Sequence, residues 1–408
     1  MSCIKESEEG KKNKSVINTN NNLDEKNKEI DNQEKNINSK ISNASNQFQT
    51  TDNYNKIKGI ISAFFNYQVD ALKDISRMER DFKIIGEKYI KLLPFNYIER
   101  LDKLKQAIYN NYSFLFKIAY PYLSLFKSYK KSSGEIYLEP LKVESKHIID
   151  IRLNLRLFVR DWSIEGKKER NETYEPILKE LKSYFKKRSK KDFEDGIKIL
   201  VPGAGLGRLL YEIGKLGFKA QGNEISFNMM LFYSYLFDNN NNLKKNEFVI
   251  QPFIHSLSNL FNFETALKKI MIPDENIKEE LSKSGTGELS MKGGDFCFIY
   301  KEKFNTFDSV VTCFFIDTAN NIIEYIETIY NTLKNGGLWI NIGPLFYHHI
   351  NNPNEVNIIL AWNEIKDVIN GFGFEITKEE IIETTYSGDE DSMIKRIYRC
   401  IFFTAVKK

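Results

Sequence analysis

The stretch from Ile199 to Ser226, ILVPGAGLGRLLYEIGKLGFKAQGNEIS, constrains the fold of this chain more than any other. A short apolar run breaks into three glycines, Gly203, Gly205 and Gly207. Apolar residues at helical spacing follow, and a second short run ends on an acid, Glu224. This order predicts strand, turn, helix and strand, and it sets the glycine loop beyond the C-terminal end of a strand, where open α/β sheets bind their ligands. Glycine lets the backbone come close to a ligand and adopt positive φ. The helix N-terminus behind the loop turns N–H groups toward negative charge. A carboxylate at the end of the second strand can accept charge-assisted hydrogen bonds from both hydroxyls of a ribose. These features suit a dinucleotide or S-adenosyl-L-methionine. The dinucleotide fingerprint is G-x-G-x-x-G, whereas the order here is G-x-G-x-G, which does not require a ligand with phosphates.

The pattern from Ile197 onward alternates strands and helices, as expected of a mainly parallel, doubly wound sheet. Strands are expected in IKILV, FKAQGNE, FDSVVTCFF and LWINIG. Helices are expected in RLLYEIGKLG, SFNMMLFYSYLFDN, NNIIEYIETIYNTLKNGG and within EVNIILAWNEIKDVINGFG. FEITKEEII and SMIKRIYRCIFFTAVKK follow one another without a helix between them, which predicts an antiparallel hairpin at one edge. Residues 262–293 read as a mobile surface excursion. Upstream, apolar residues recur at helical spacing from Ile57, with Pro94 and Pro121 as boundaries or a kink. Residues 1–52, rich in Asn, Lys, Ser and Glu, cannot bury enough surface to offset their ordering entropy. The expected organisation is a disordered tail over 1–52, a helical region over 53–195 and a ligand-binding α/β domain over 196–408.

Charge excludes little: 59 Lys and Arg against 55 Asp and Glu, a net +4, is a weak basis for nucleic-acid binding. The run KKRSKK at 186–191 is either a solvated charge run at a helix end or a nuclear signal. Four scattered cysteines without a Cys-x-x-Cys pair point away from disulfides and zinc and toward a reducing, cytoplasmic setting, with the nucleus as a second location. No His-x-x-x-His motif is present, so no metal is expected. The N-terminus lacks an apolar signal core, and no run is apolar and long enough to span a membrane.

Further candidates lie at the expected strand ends. In GGDFCF, Asp295 could bond an adenine amino group while Phe296 packs on the ring. Asp317 closes CFFID, either as the cap of the helix after Asn320 or as a substrate contact. Tyr347, His348 and His349 follow the Gly-Pro turn of NIGPLFYHH; His348 is either a loop histidine or a substrate residue, and His349 is the plainer of the two. Cys313 sits in an apolar strand and reads as core. A tight strand-to-helix turn without any ligand is the alternative for the glycine loop.

The segments FVRDWSIEGKKER, ILVPGAGLGRL, QGNE, GDF, TCFFIDTA, GGLWINIGPLFYH and DSMIKRIYRC together resemble the carnosine N-methyltransferases. The likeness runs from about Arg152 to the C-terminus, more weakly from Ile57, and leaves out the tail. It implies a class I methyltransferase: a Rossmann-like doubly wound sheet with an antiparallel C-terminal hairpin, plus an N-terminal helical extension. It implies methyl transfer from S-adenosyl-L-methionine to an imidazole nitrogen of carnosine, giving anserine, and it hints at homodimers. It implies that Arg160, Gly203, Gly205, Glu224, Asp295, Phe296 and Cys313 touch the donor. Asp317, His348 and Tyr398 would line the acceptor pocket, with Tyr386 close by. The chain departs from the family at Leu157, where glutamine is common, and at Arg396, where tyrosine is common. In this reading Asp317 accepts the remote ring N–H, fixing the tautomer and stabilising the forming imidazolium. The rival readings are a histidine methyltransferase acting on peptides or proteins, a dinucleotide-dependent oxidoreductase, and a non-catalytic binding module.

Overall fold

The computed structural model of the chain describes residues 16–17, 51–126, 128–130, 136–138, 143–186, 196–238, 240–348, 350 and 356–408. The tail expected over 1–52 therefore lies outside the described residues apart from 16–17 and 51–52, as do His349 and KKRSKK beyond Lys186. The chain divides into two compact units, Met1–Ile151 and Arg152–Lys408. No helix among the described residues is long and apolar enough to cross a membrane.

The first unit is built on α1 (Thr51–Ile84) and α2 (Tyr97–Ala119). Ile61, Phe64, Phe65, Ala71 and Ile75 of α1 and Leu101, Leu104, Ile108, Leu115 and Ile118 of α2 are buried, which is the three-to-four spacing of one apolar helix face. Asn96 caps α2, its side chain accepting from the N–H groups of Ile98 and Glu99 at 3.1 and 3.2 Å. Inside the unit Asn111 donates to the Tyr67 hydroxyl at 3.0 Å, which satisfies a pair of polar groups that burial would otherwise make costly. Pro121 stands in the first turn of a 3-10 segment, Tyr120–Leu125, just after α2. Val16–Ile17, Ser128–Lys130 and Ile136–Leu138 form a small antiparallel sheet.

The second unit takes up α3 (Ser145–Trp162) from Arg152 and continues with α4 (Lys167–Lys186). Then come β1 (Lys198–Pro202), α5 (Arg208–Lys215), β2 (Lys219–Glu224), α6 (Phe227–Phe237), β3 (Leu289–Gly293), α7 (Phe296–Tyr300) and β4 (Phe307–Cys313). The chain ends with α8 (Ile322–Thr332), β5 (Leu333–Gly343), α9 (Trp362–Gly371), β6 (Phe374–Thr384) and β7 (Tyr398–Lys407). The sheet order is β6-β7-β5-β4-β1-β2-β3. Its inner pairs are parallel, and β7 runs antiparallel to both β5 and β6, so the hairpin read from the sequence stands at one edge.

Successive side chains of a strand face opposite ways, and each face has its own core. Ile199, Val201, Ile340, Ile342 and Phe402 pack under Ile177 and Leu181 of α4 and Leu209, Leu210 and Ile213 of α5. Leu200, Val310, Trp339 and Phe403 pack under Ile322, Ile326 and Ile329 of α8 and Ile365 and Ile369 of α9. Both faces are covered, as a parallel sheet requires.

Three expectations change. The segment 262–293 is not a loose excursion: it holds a short helix, Ile277–Leu281, and ends in β3, the edge strand paired to β2 from Ala220↔Leu289 to Glu224↔Gly293. LSMKG is half exposed along its length, so it lacks the apolar run that marks a central strand. The helix α8 stops at Thr332, and the strand begins at once, with a register shift between Leu333 and Leu338. The strand through FDSVVTC ends at Cys313 because Phe314 takes φ +52°, outside the β region.

Candidate active site

The glycine loop follows β1. Gly203 and Gly205 have φ +63° and +56°, which side-chain-bearing residues rarely adopt. A Cβ on Gly203 would stand 2.5 Å from the Phe315 ring, whereas one on Gly205 would meet nothing nearer than Met229 Sδ at 3.9 Å. Gly203 is thus a packing glycine, and Gly205 leaves open space. Glu224 ends β2, 7 % exposed. Its Oε2 accepts the Gly205 N–H at 2.9 Å and its Oε1 the Ser226 N–H at 2.8 Å. Burial raises its pKa, against the pull of the backbone N–H groups of Ser226, Gly205 and Ile225. Each oxygen can accept a further hydrogen bond.

β3 leads to the third piece of this edge. Asn223 donates to the carbonyls of Lys292 and Gly294 at 3.2 and 3.0 Å, tying the end of β3 to β2. Asp295 caps α7, accepting the Phe298 N–H at 2.8 Å. The Phe296 ring turns into the core, edge-on to Phe315 and Tyr325 at 5.4 Å each. The exposed apolar side chains here are Ile225, 70 %, and Phe298, 68 %.

Arg160, near the end of α3, is 6 % exposed. Its guanidinium bonds Asp161 at 3.0 Å and approaches Cys313 Sγ at 3.9 Å. It lies over the rings of Tyr386, Tyr174 and Phe314 at 4.8, 5.0 and 5.8 Å, contacts that a desolvated cation strengthens. Its Nε has no partner. Burial pushes the Cys313 thiol up to about 11, so it stays neutral. The Trp162 indole donates to the Leu206 carbonyl at 3.1 Å, and Arg208 donates to the Asp161 carbonyl at 2.8 Å. These bonds fix the end of α3, and Arg160 with it, against the glycine loop. The turn out of α3 needs Gly166, where a Cβ would stand 2.2 Å from the carbonyl oxygens of Val159 and Arg160.

Asp317 lies in a 3-10 turn, Ile316–Thr318, after β4 and is 3 % exposed. It does not cap α8. Asn321 does, accepting the Ile323 N–H at 3.1 Å. Asp317 accepts the Phe346 N–H at 3.0 Å instead, binding its turn to the loop after β5. Burial raises its pKa, against the pull of the Phe346 N–H and, less, of His348. His348 is exposed, its ring 6.0 Å from that of Phe346. Tyr398 opens β7 half-buried, edge-on to Phe314 at 6.0 Å, and Tyr386 meets Phe314 at 4.7 Å.

Phe314 is thus shared by Arg160, Tyr386 and Tyr398. The sequence hid it inside an apolar run, and nothing local marked Asp161 or Tyr174, whose hydroxyl donates to Asp161 at 2.8 Å. Of the two departures, Arg396 is exposed and Leu157 half-buried. Among the described residues no group of three or more His, Cys, Asp or Glu side chains could hold a metal ion.

Residues 138–408 match the carnosine N-methyltransferase family. The chain is 38 % identical over 351 residues to carnosine N-methyltransferase of Mus musculus, covering 85 % of each chain. It is 36 % identical over 361 residues to that of Dictyostelium discoideum, covering 85 % of this chain and 75 % of the relative. To that of Schizosaccharomyces pombe it is 34 % identical over 361 residues, covering 84 % and 93 %. The match runs through every strand of the large sheet, and the chain belongs to the carnosine N-methyltransferase family.

Proposed function

We propose that this chain transfers the methyl group of S-adenosyl-L-methionine to an imidazole nitrogen of carnosine, giving anserine. One observation carries the reading: β1 and β4 are neighbours in the sheet, so the glycine loop after β1 and the buried carboxylate of Asp317 after β4 lie at adjacent strand ends. Family membership sets aside the dinucleotide-dependent and non-catalytic readings.

The residues fit the donor. The lone pairs left on Glu224 suit the two ribose hydroxyls, and the open space at Gly205 lets a ligand approach the loop. Asp295, with Ile225 and Phe298 exposed near Glu224 and itself in sequence, suits an adenine. The unpartnered Nε of a buried Arg160 suits a carboxylate. The donor supplies an already activated sulfonium methyl, so the chain needs no nucleophile of its own, and the neutral Cys313 is not one. Its residues bind, orient and exclude water. Asp317 accepts the N–H of the ring nitrogen remote from the methyl, which leaves the other nitrogen's lone pair free and stabilises the imidazolium as it forms. His348 orients the dipeptide from the rim, while Tyr398 and Tyr386 wall the ring. Positioning of this kind is worth roughly 7–11 kcal/mol of a barrier.

The test is incubation with isotopically labelled donor and a panel of carnosine, related imidazole dipeptides and histidine-containing peptides, with the methyl located by mass spectrometry. Label on the carnosine ring is the expected result. Label on longer peptides with none on carnosine would favour the peptide or protein histidine methyltransferase instead.

A further inference from the structure

The doublet Glu169–Arg170 opens α4, and both side chains are buried, 8 % and 6 % exposed, yet neither is among the donor or acceptor residues above. Arg170 faces α3. It donates to the carbonyls of Arg160 and Ser163, each at 2.7 Å, and to Asp274 at 2.6 Å. Glu169 faces the loop between β6 and β7. It accepts from the Thr385 hydroxyl, from the Ser387 N–H at 2.9 Å and from the Gly388 N–H at 3.0 Å. The three hydrogen bonds its carboxylate accepts among the described residues come from that loop, and Tyr386 stands between the residues it holds. Ser387 takes φ +50°, a conformation few non-glycine residues adopt without support.

Two adjacent side chains therefore hold the two halves of one contact: Arg170 the backbone of Arg160, and Glu169 the Thr385 hydroxyl before Tyr386 and the Ser387 and Gly388 N–H groups after it, the Tyr386 ring covering the Arg160 guanidinium at 4.8 Å. We propose that Glu169 is a positioning residue that seats Tyr386 over Arg160 and Phe314 and so shapes the acceptor pocket, acting through Tyr386 without touching substrate. The other ties hold the loop further from Tyr386: the Met393 N–H donates to the Asn259 carbonyl at 2.8 Å, and two ion pairs join Glu390 and Asp391 to lysines. Lys168–Glu390 at 2.8 Å and Lys268–Asp391 at 3.2 Å are exposed pairs, which contribute little on their own. A buried carboxylate accepting three hydrogen bonds is the stronger anchor. The inference rests on reading this pocket as the acceptor site.

A double-mutant cycle separates positioning from general support of the fold. The proteins are the native chain, Glu169→Ala, Tyr386→Ala and the double variant. Carnosine affinity is measured by calorimetry with S-adenosylhomocysteine bound, and KM and kcat are measured where turnover persists. Glu169→Ala is expected to weaken carnosine binding about tenfold or more, with KM moving further than kcat, and to add less than about twofold once Tyr386 is gone, because coupled residues are not additive. Glu169→Gln keeps one acceptor oxygen but turns its NH₂ toward the Ser387 or the Gly388 N–H, so its carnosine affinity is expected to lie between native and Glu169→Ala. Effects that multiply across the cycle, or a Glu169→Ala protein that binds carnosine like the native one, would overturn the proposal. A native chain that binds S-adenosylhomocysteine but not carnosine would refute the acceptor reading and not the role of Glu169. The same cycle is then scored on S-adenosylhomocysteine affinity through Arg160, with the same two outcomes deciding.

Discussion

Asp317→Asn is expected to lower kcat on carnosine about 10²- to 10³-fold, the loss usual when one preorganised electrostatic partner of a charge-forming step is removed. The fold should not suffer. Asp317 is 3 % exposed, and burial holds its pKa above the usual carboxylate range. A carboxyl group raised in the folded state contributes stability at low pH that is lost as pH rises through the raised value. Once ionised, the side chain is therefore a cost to the fold, and an amide of the same shape removes it. The amide oxygen of the replacement can still accept the Phe346 N–H that Asp317 accepts at 3.0 Å. Thermal melting should accordingly give a Tm equal to or above native alongside the collapse in rate. The native rate should fall as pH drops below about 6.5, the ordinary imidazole value, because a protonated acceptor ring has no lone pair to methylate. Asp317→Asn should keep that limb, which belongs to the substrate. An unchanged kcat would remove Asp317 from the chemistry, and a large fall in Tm would mean that its role is structural.

Glu224→Gln should act on the donor instead. The carboxylate bonds Gly205 and Ser226 at 2.9 and 2.8 Å and has capacity for two ribose hydroxyls. Two hydrogen bonds to a charged acceptor are worth roughly 3–6 kcal/mol together, so the Kd for S-adenosylhomocysteine should rise about a hundredfold or more. A glutamine must also turn its NH₂ toward one of two backbone N–H groups, which frees one end of the loop. The KM for the donor should rise with the Kd, while the KM for carnosine at saturating donor changes little. Equal loss for both substrates would mean that the glycine loop had collapsed as a whole.

The parts of this site that local chemistry dictates were legible in the sequence. Gly203 and Gly205 stand out because few other residues tolerate their φ, and Glu224 stands out because an acid closes the strand after the glycine loop, next to the first strand. The antiparallel edge was legible because TYSGDEDSMIKRI, between β6 and β7, carries no helical spacing of apolar residues for a crossover helix. β3 was not, because an edge strand needs no continuous apolar run, and the alternation of Leu289 and Met291 with Ser290 and Lys292 is too short to stand out from the polar segment around it. The ordering of 274–275 was hidden for another reason. Asp274 and Glu275 are fixed by Arg170 and Arg208, residues far away in the chain, at 2.6 to 3.1 Å. The cage around Arg160 is likewise tertiary. Tyr174 comes from α4, Phe314 from the end of β4 and Tyr386 from the edge hairpin, and no spacing along the chain brings them together. Asn321 took the cap that Asp317 could have made because it sits next to the first residue of α8, the place from which a short side chain reaches the free N–H groups.

The most direct test is calorimetric titration of the native protein with S-adenosylhomocysteine, followed by carnosine. The structure predicts one saturable site for the nucleoside, formed by the Gly205 loop and Glu224, and carnosine binding that becomes measurable once that site is filled. Absence of heat with S-adenosylhomocysteine from a folded, monodisperse sample would contradict the account at its base.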